Sequence, residues 1–285
     1  MKKDIAIIGL GQRGRNHLSE LRRSDFFNLV GLYDKVSKQD FGRFVVYDDI
    51  EKMFKETKPE AVVITTPIST HKEMITRSMK YLKNIFVATP ITGDLEQINE
   101  LCEIAKENEL NLAIGYSQRF NPTTQSIKKE LEKNIEIYNI SYIRGICQDE
   151  KESNLDSFFT QDIDIITHIF KSDVEKIELI REKNRAAVAS LKMKNGLLVS
   201  YSLSTLYPKE RCYMEICTDD GFYLADFVNF TLHKITKNGR INLRVDSEDF
   251  SIRFEHDAFK KLCDGLGWGN LASIEDVLAA KKIAS

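Results

Sequence analysis

Several features are missing from this 285-residue chain, and each absence removes a class of function. No apolar run approaches the roughly 20 residues that cross a bilayer. There is no basic excess: 41 Lys and Arg against 43 Asp and Glu leave a formal net charge of -2, so the footprint of a nucleic-acid binder is lacking. The five cysteines (Cys102, Cys147, Cys212, Cys217 and Cys263) are odd in number, scattered and without CxxC spacing. They read as free thiols in a reducing compartment, with no metal site and no disulfide framework. No repeat, low-complexity stretch or long linker interrupts the chain. Residues Met1–Gly11 place lysines before an apolar stretch, as a secretion signal does. That stretch is too short and runs straight into glycines with a structural use, which predicts a mature cytosolic N-terminus.

What is present is an ordinary soluble composition, 42% apolar and 29% charged, on a chain long enough for one large or two modest domains. Over the first 118 residues or so, short β-rich runs alternate with helical stretches. The runs are Asp4–Ile8, Leu29–Tyr33, Ala61–Thr65, Asn84–Ala88 and Leu110–Gly115. Several are continuously apolar, which means burial on both faces, as in a parallel sheet covered by helices. The clearest helix runs from Asp94 to Glu109, with Leu95, Ile98, Leu101, Cys102 and Ala105 in one stripe, Asp94 as cap and Gln97 reaching back. Such repetition predicts a doubly wound Rossmann sheet with right-handed crossovers.

Near Asn121-Pro122 the pattern changes. Helices are expected at about 123–133 and 156–170, followed by β segments separated by hairpin signals. Asn195-Gly196, Asp220-Gly221 and Asn238-Gly239 each lie between strand-like runs. Leu197–Leu206 and Cys212–Cys217 alternate as half-buried strands. The tail returns to helix at Phe254–Cys263 and Ser273–Ile283, the latter capped by Ser273 and Asp276. The reading is therefore an α/β protein: a dinucleotide-binding domain at 1–118, then an α+β domain at 119–285 with an open, largely antiparallel sheet. The last helix has the option of returning to the first domain.

The chemistry-bearing motif follows the first strand. Gly9-Leu10-Gly11-Gln12-Arg13-Gly14 assigns Gly9 to the tight turn, Gly11 to the backbone's approach to a pyrophosphate and Gly14 to helix–strand packing. The helix N-terminus then offers N–H groups and its positive dipole. A lone GxGxxG is weak, but here it stands between strand and helix, with Asp34 closing the next strand 20 residues after Gly14. Asp34 would accept from the adenosine ribose hydroxyls and repel a 2′-phosphate, favouring NAD over NADP. Lys35 and Lys38 soften that preference, so NADP stays possible.

Strand Ala61–Thr65 runs into Thr66-Pro67-Ile68-Ser69-Thr70-His71, and with this the chain resembles the Gfo/Idh/MocA family of sugar and polyol oxidoreductases. Gly115-Tyr116-Ser117-Gln118-Arg119-Phe120-Asn121-Pro122, Asp162-Ile163-Asp164-Ile165 and Ser273-Ile274-Glu275-Asp276-Val277-Leu278 carry the resemblance along the whole chain. It implies nicotinamide at the cleft between two domains, and homodimers or homotetramers through the second sheet. The resemblance to biliverdin reductases, a shorter branch, is architectural only. It rests on the dozen residues between Asp34 and Tyr47-Asp48-Asp49, too few for a helix, and on a non-lysine before the proline.

The departures fall at the chemistry. Where the family has Glu-Lys-Pro this chain has Ala88-Thr89-Pro90; where it has Asp-x-x-x-His-x-x-Asp there stand Ser157, Gln161 and Asp164. Threonine and glutamine do not titrate near neutrality, whereas a placed acid or base contributes roughly 10²–10⁴-fold. Tyr116 is a possible proton donor or a packing tyrosine. His168 pairs with Asp164 or is a structural histidine, and His71 belongs to the cofactor loop. Arg119 meets an anionic group of substrate or cofactor, or forms an interdomain ion pair; Lys72 is solvated.

The expected site is then Thr89, Tyr116 and Gln161 orienting the substrate oxygen. The cofactor is held by Gly9, Gly11, Gln12, Arg13, Gly14, Asp34, Thr65, Thr66, Pro67, His71, Ala88 and Arg119. The expected function is a cytoplasmic NAD(P)-dependent oxidoreductase on a small polar carbonyl or sugar-like substrate. The alternative is a non-catalytic NAD(H)- or sugar-binding sensor or regulator. S-adenosylmethionine binding is disfavoured by Asp34.

Overall fold

A computed structural model describes residues 1–36, 41–91, 94–133, 135–147, 155–183 and 185–284. The chain divides into two compact units, one of residues 1–117 with 252–282 and the other of residues 118–251 with 283–285.

In the first unit β1 (Lys3–Ile8) leads into α1 (Gln12–Arg22), then β2 (Phe27–Tyr33), β3 (Val46–Tyr47) and α2 (Ile50–Thr57). There follow β4 (Ala61–Ile64), α3 (His71–Ser78), β5 (Asn84–Ala88), α4 (Leu95–Glu107) and β6 (Asn111–Gly115). All five apolar runs read from the sequence are strands. Ile5–Ile8, Ala61–Ile64 and Ile85–Ala88 are buried at every position, as a sheet covered on both faces requires. Helix starts are set by local side chains: Asp49 accepts from Glu51 N and Lys52 N, and Asp94 accepts from Glu96 N. The described residues between Asp34 and β3 contain no helix, and Lys38 lies outside the described residues.

The second unit opens with α5 (Pro122–Leu131), capped by Asn121 with Pro122 at its first position, then β7 (Ile137–Cys147) and α6 (Leu155–Phe170). Seven strands follow: β8 (Val174–Glu182), β9 (Ala186–Met193), β10 (Leu198–Ser204), β11 (Leu206–Thr218), β12 (Gly221–Asp226), β13 (Thr231–Thr236) and β14 (Gly239–Leu243). The sheet order is β14-β13-β12-β11-β7-β10-β9-β8, antiparallel except where β10 meets β7. All three Asn-Gly or Asp-Gly signals sit at hairpins, between β9 and β10, β11 and β12, and β13 and β14. Along β9 buried Ala187, Ala189, Leu191 and Met193 alternate with outward residues, so one sheet face is covered.

Residues after this sheet rejoin the first unit through α7 (Ser251–Cys263), β15 (Ala272–Ser273) and α8 (Ile274–Ala284). Ser273 and Asp276 exchange side-chain bonds to each other's backbone N–H, a reciprocal cap for α8. β15 adds antiparallel to β6, completing the order β15-β6-β5-β4-β1-β2-β3. Apart from β15 every pairing in that sheet is parallel, and the order reverses direction between β1 and β4. Ligands of open parallel sheets bind outside the carboxyl ends of strands at such a reversal.

Candidate dinucleotide cradle and its neighbouring side chains

The turn after β1 is built from backbone. Gly9 adopts φ +97°, where a side chain would be strained, and its N–H donates to Tyr33 O at 2.8 Å. A Cβ on Gly14 would lie 2.1 Å from Gly9 O and 2.8 Å from Thr65 Oγ1, so α1 and β1 approach this closely only because no side chain is there. At Gly11 a Cβ would meet nothing within 4 Å, which leaves open space above the start of α1. No side chain caps α1 and no acid lies in its first turn. Its first N–H groups and dipole are therefore available to an anion.

Around this turn the side chains are tied to the loops. Asp34 takes Leu10 N–H on Oδ2 at 2.7 Å and Val36 N–H on Oδ1 at 2.9 Å. Thr65 donates to Gly9 O at 2.7 Å, and Thr70 donates to Thr66 Oγ1 at 2.9 Å. His71 is buried with Nδ1 3.0 Å from Ile91 O and Nε2 2.7 Å from Thr66 O. Burial lowers its pKa, against the pull of the two carbonyls. The ring thus ties the loops after β4 and β5 together. Gln12 and Arg13 lie exposed at the start of α1, Thr66 is half-buried and Pro67 exposed after β4, and Ala88 ends β5. Eleven of the twelve cofactor candidates thus gather at the carboxyl ends of β5, β4, β1 and β2, adjacent strands of one parallel sheet. The fit to a dinucleotide rests on the room at Gly11, the contact at Gly14 and the uncapped helix start.

Arg119 is the twelfth, and it stands in the second unit. Its Nε donates to Asp164 Oδ2 at 2.8 Å and its Nη2 to Asp164 Oδ1 at 2.5 Å, with side chains 8% and 2% exposed. The fork is spent on a buried pair inside that unit.

The three substrate-orienting candidates divide likewise. Thr89 is buried beside β6 and its hydroxyl donates to Gly115 O at 3.0 Å, the carbonyl next to Tyr116. Tyr116 belongs to the apolar core with Ile114, Ile274 and Val277, a packing position. Gln161, on α6 of the second unit, is half-buried and donates to Ser157 Oγ at 3.3 Å. His168 accepts from Lys128 Nζ at 2.7 Å; burial, then Arg119, Lys128 and Lys171, brings its pKa down to about 3, so it is a neutral structural histidine. Lys72 pairs with Glu100. Among the described residues, no cluster of three or more His, Cys, Asp or Glu is placed to hold a metal, and no helix is long and apolar enough to cross a membrane.

Two buried constellations were not anticipated from the sequence. Asp162, wholly buried on α6, accepts from Tyr142 (3.0 Å) and Arg144 (2.5 Å) on one oxygen and from Tyr201 (2.7 Å) on the other. His17 of α1 and His256 of α7 face each other at 3.0 Å, beside Phe86. An available signal was a carboxylate inside the apolar stripe Phe159, Ile163, Ile166 of α6: a polar group there demands partners.

A parallel sheet ordered β3-β2-β1-β4-β5-β6, a glycine turn into an uncapped helix and an acid closing β2 define a Rossmann dinucleotide-binding domain. Residues 3–116 match the family model GFO_IDH_MocA, described as an oxidoreductase family with NAD-binding Rossmann fold. It is 29% identical over 152 residues to scyllo-inositol 2-dehydrogenase (NAD(+)) of Bacillus subtilis, an alignment covering 51% of this chain and 44% of that protein. The chain thus spans under half the length of that relative. With UDP-N-acetylglucosamine 3-dehydrogenase of Acidithiobacillus ferrooxidans it shares 24% identity over 243 residues, 80% of this chain and 75% of the other. The solved structure of that enzyme superposes with a TM-score of 0.85 over 100% of this chain and 96% of its own, at 19% identity. The two-unit fold is therefore that of this solved structure.

Proposed function

We propose that this protein is an NAD(P)-dependent oxidoreductase acting on a small polar carbonyl or sugar-like substrate, working without the family's lysine and histidine. The observation that carries it is the cradle: Gly9, Gly11, Gly14 and Asp34 are arranged for a dinucleotide with an unphosphorylated ribose. The full second unit accompanies them, which supports a substrate as well as a cofactor. The dinucleotide, when bound, supplies or takes the hydride. Thr89, with its hydroxyl proton on Gly115 O, keeps lone pairs that accept from a substrate hydroxyl, and Gln161 offers an amide. Neither moves a proton at neutral pH, so solvent or the substrate supplies it. We further propose residues 1–118, with the returning tail of α7 to α8, as the dinucleotide-binding domain, the second unit as the substrate and oligomerisation domain, assembly into dimers or tetramers through the second sheet, and a cytoplasmic location.

The missing acid–base group favours a second reading, a non-catalytic NAD(H)- or sugar-binding sensor. Titration of the protein with NADH by fluorescence, then a screen of ketosugars and other carbonyls for NADH oxidation, separates the two. Binding with turnover on any member supports the oxidoreductase; binding without turnover across a broad panel supports the sensor. Thr89→Lys is the follow-up, and a gain of activity would locate the reacting oxygen.

A further inference from the structure

Two arginine–aspartate pairs are buried in the second unit, and they are used differently. Arg119 spends both edges of its fork on Asp164. Arg144 touches Asp162 through Nη1 alone, because Tyr142 shares the same oxygen and Tyr201 takes the other. A guanidinium carries five N–H donors. Among the described residues Arg144 engages one of them, and its side chain keeps 15% exposure while Asp162 has none. The Arg144 guanidinium also lies over the Phe158 ring, 5.2 Å from its centre.

The place is informative. Phe158 and Asp162, four apart on α6, hold Arg144; Ser157 and Gln161, the neighbouring row four apart on the same helix, hold each other. The arginine therefore sits beside the turn of α6 that bears the substrate-orienting candidate. The other ionisable neighbours stay neutral: burial raises the Tyr142 and Tyr201 phenols well above their ordinary values and pushes the Cys212 thiol up to about 12. What remains is a guanidinium held against Phe158 that keeps partial exposure and donors Asp162 does not take, a group suited to a planar or tetrahedral oxyanion.

We propose that Arg144 anchors an anionic group of the substrate, a carboxylate or a phosphate, so that this protein takes acidic derivatives of sugars or polyols. The substrate class rests on the oxidoreductase reading, whereas the anion site rests on the geometry of α6 and β7. Ligand-observed NMR on the full chain with NADH, titrating D-glucuronate, glucose 6-phosphate and D-glucose, tests it. One acid should bind roughly tenfold or more tighter than glucose, and which acid does so distinguishes carboxylate from phosphate. The preference should fall to about twofold or less in the paired variant Arg144→Met/Asp162→Leu, which removes both charges and leaves none buried alone. NADH binding, read in parallel, reports that the variant is folded, and Arg144→Lys should restore part of the preference.

Acids that bind no better than glucose, or a preference that survives in the paired variant, would overturn the assignment. Acid binding lost in that variant, with no turnover of any sugar, upholds the anion site and removes the oxidoreductase reading. Turnover of neutral sugars without preference for acids does the reverse.

Discussion

The glycine turn after β1 and helix α6 carry the two halves of the proposed chemistry and are made of different material. The turn is main chain: a left-handed Gly9, a Gly14 with no room for a side chain and a bare helix start. Its few side chains, Asp34, Thr65 and His71, are each bonded to loop backbone. Helix α6 is side-chain chemistry: Gln161 stands where the family resemblance expects a titrating histidine, over a buried layer of ion pairs that remains complete. A site made of backbone is lost only by adding atoms, whereas one made of side chains can lose its proton-transfer groups without losing its scaffold.

The contrast is broken most severely at Gly14. Gly14→Val puts carbon 2.1 Å from a carbonyl oxygen, and either the fold fails or NADH affinity drops by roughly a hundredfold or more. Gly11→Ala, whose added carbon meets nothing, should leave the melting temperature within a few degrees and weaken NADH by about tenfold. Fluorescence titration and calorimetry on both variants read this, and equal thermal effects would contradict the account of the turn.

In the second unit Arg119→Ala strands the Asp164 carboxylate and should cost about 3–5 kcal/mol in urea unfolding. The apolar pair Arg119→Met/Asp164→Leu should recover most of that. If the single variant is as stable as the parent, the pair is not the support assigned to it.

Acid tests the first unit's core. His17 is neutral with a folded pKa of about 4, held there by burial and then by Arg13, and His256 is held well below its ordinary value by burial and then by His17. Between pH 6.5, the unfolded value, and about 4 the unfolded chain binds protons that the folded chain refuses. Stability is full above that window and falls through it on acidification, by about 1.4 kcal/mol per pH unit for each histidine. Urea midpoints at pH 7.5, 6 and 5 should drop more steeply for the parent than for His256→Phe; parallel slopes would remove the pair from the account.

The smallest effect is expected at Thr89. Thr89→Val loses one hydroxyl bond to Gly115 O, worth about 1 kcal/mol, and should leave NADH affinity within about twofold. A large loss of NADH binding would assign Thr89 to the cofactor itself.

What was readable in the sequence follows the same division. Ile5–Ile8 and Ala61–Ile64 were visible because strands buried on both faces are apolar throughout, and the hairpins because Asn-Gly and Asp-Gly encode their own turns. The cradle was visible because each glycine answers a local backbone demand. Hidden were contacts between distant residues: Tyr142 meets Cys212 across 70 positions, and His17 meets His256 across 239. No local pattern records such pairs. Arg119 illustrates the point: its charge was plain in the sequence, but its commitment to Asp164 depends on the packing of α6.

The central claim is that Asp34 and the glycine turn hold a dinucleotide whose ribose is unphosphorylated. Parallel fluorescence titrations of the intact protein with NADH and NADPH test it most directly. NADH should bind roughly tenfold or more tighter, since a 2′-phosphate would face the Asp34 carboxylate. Equal binding, a preference for NADPH or no binding of either would contradict the account.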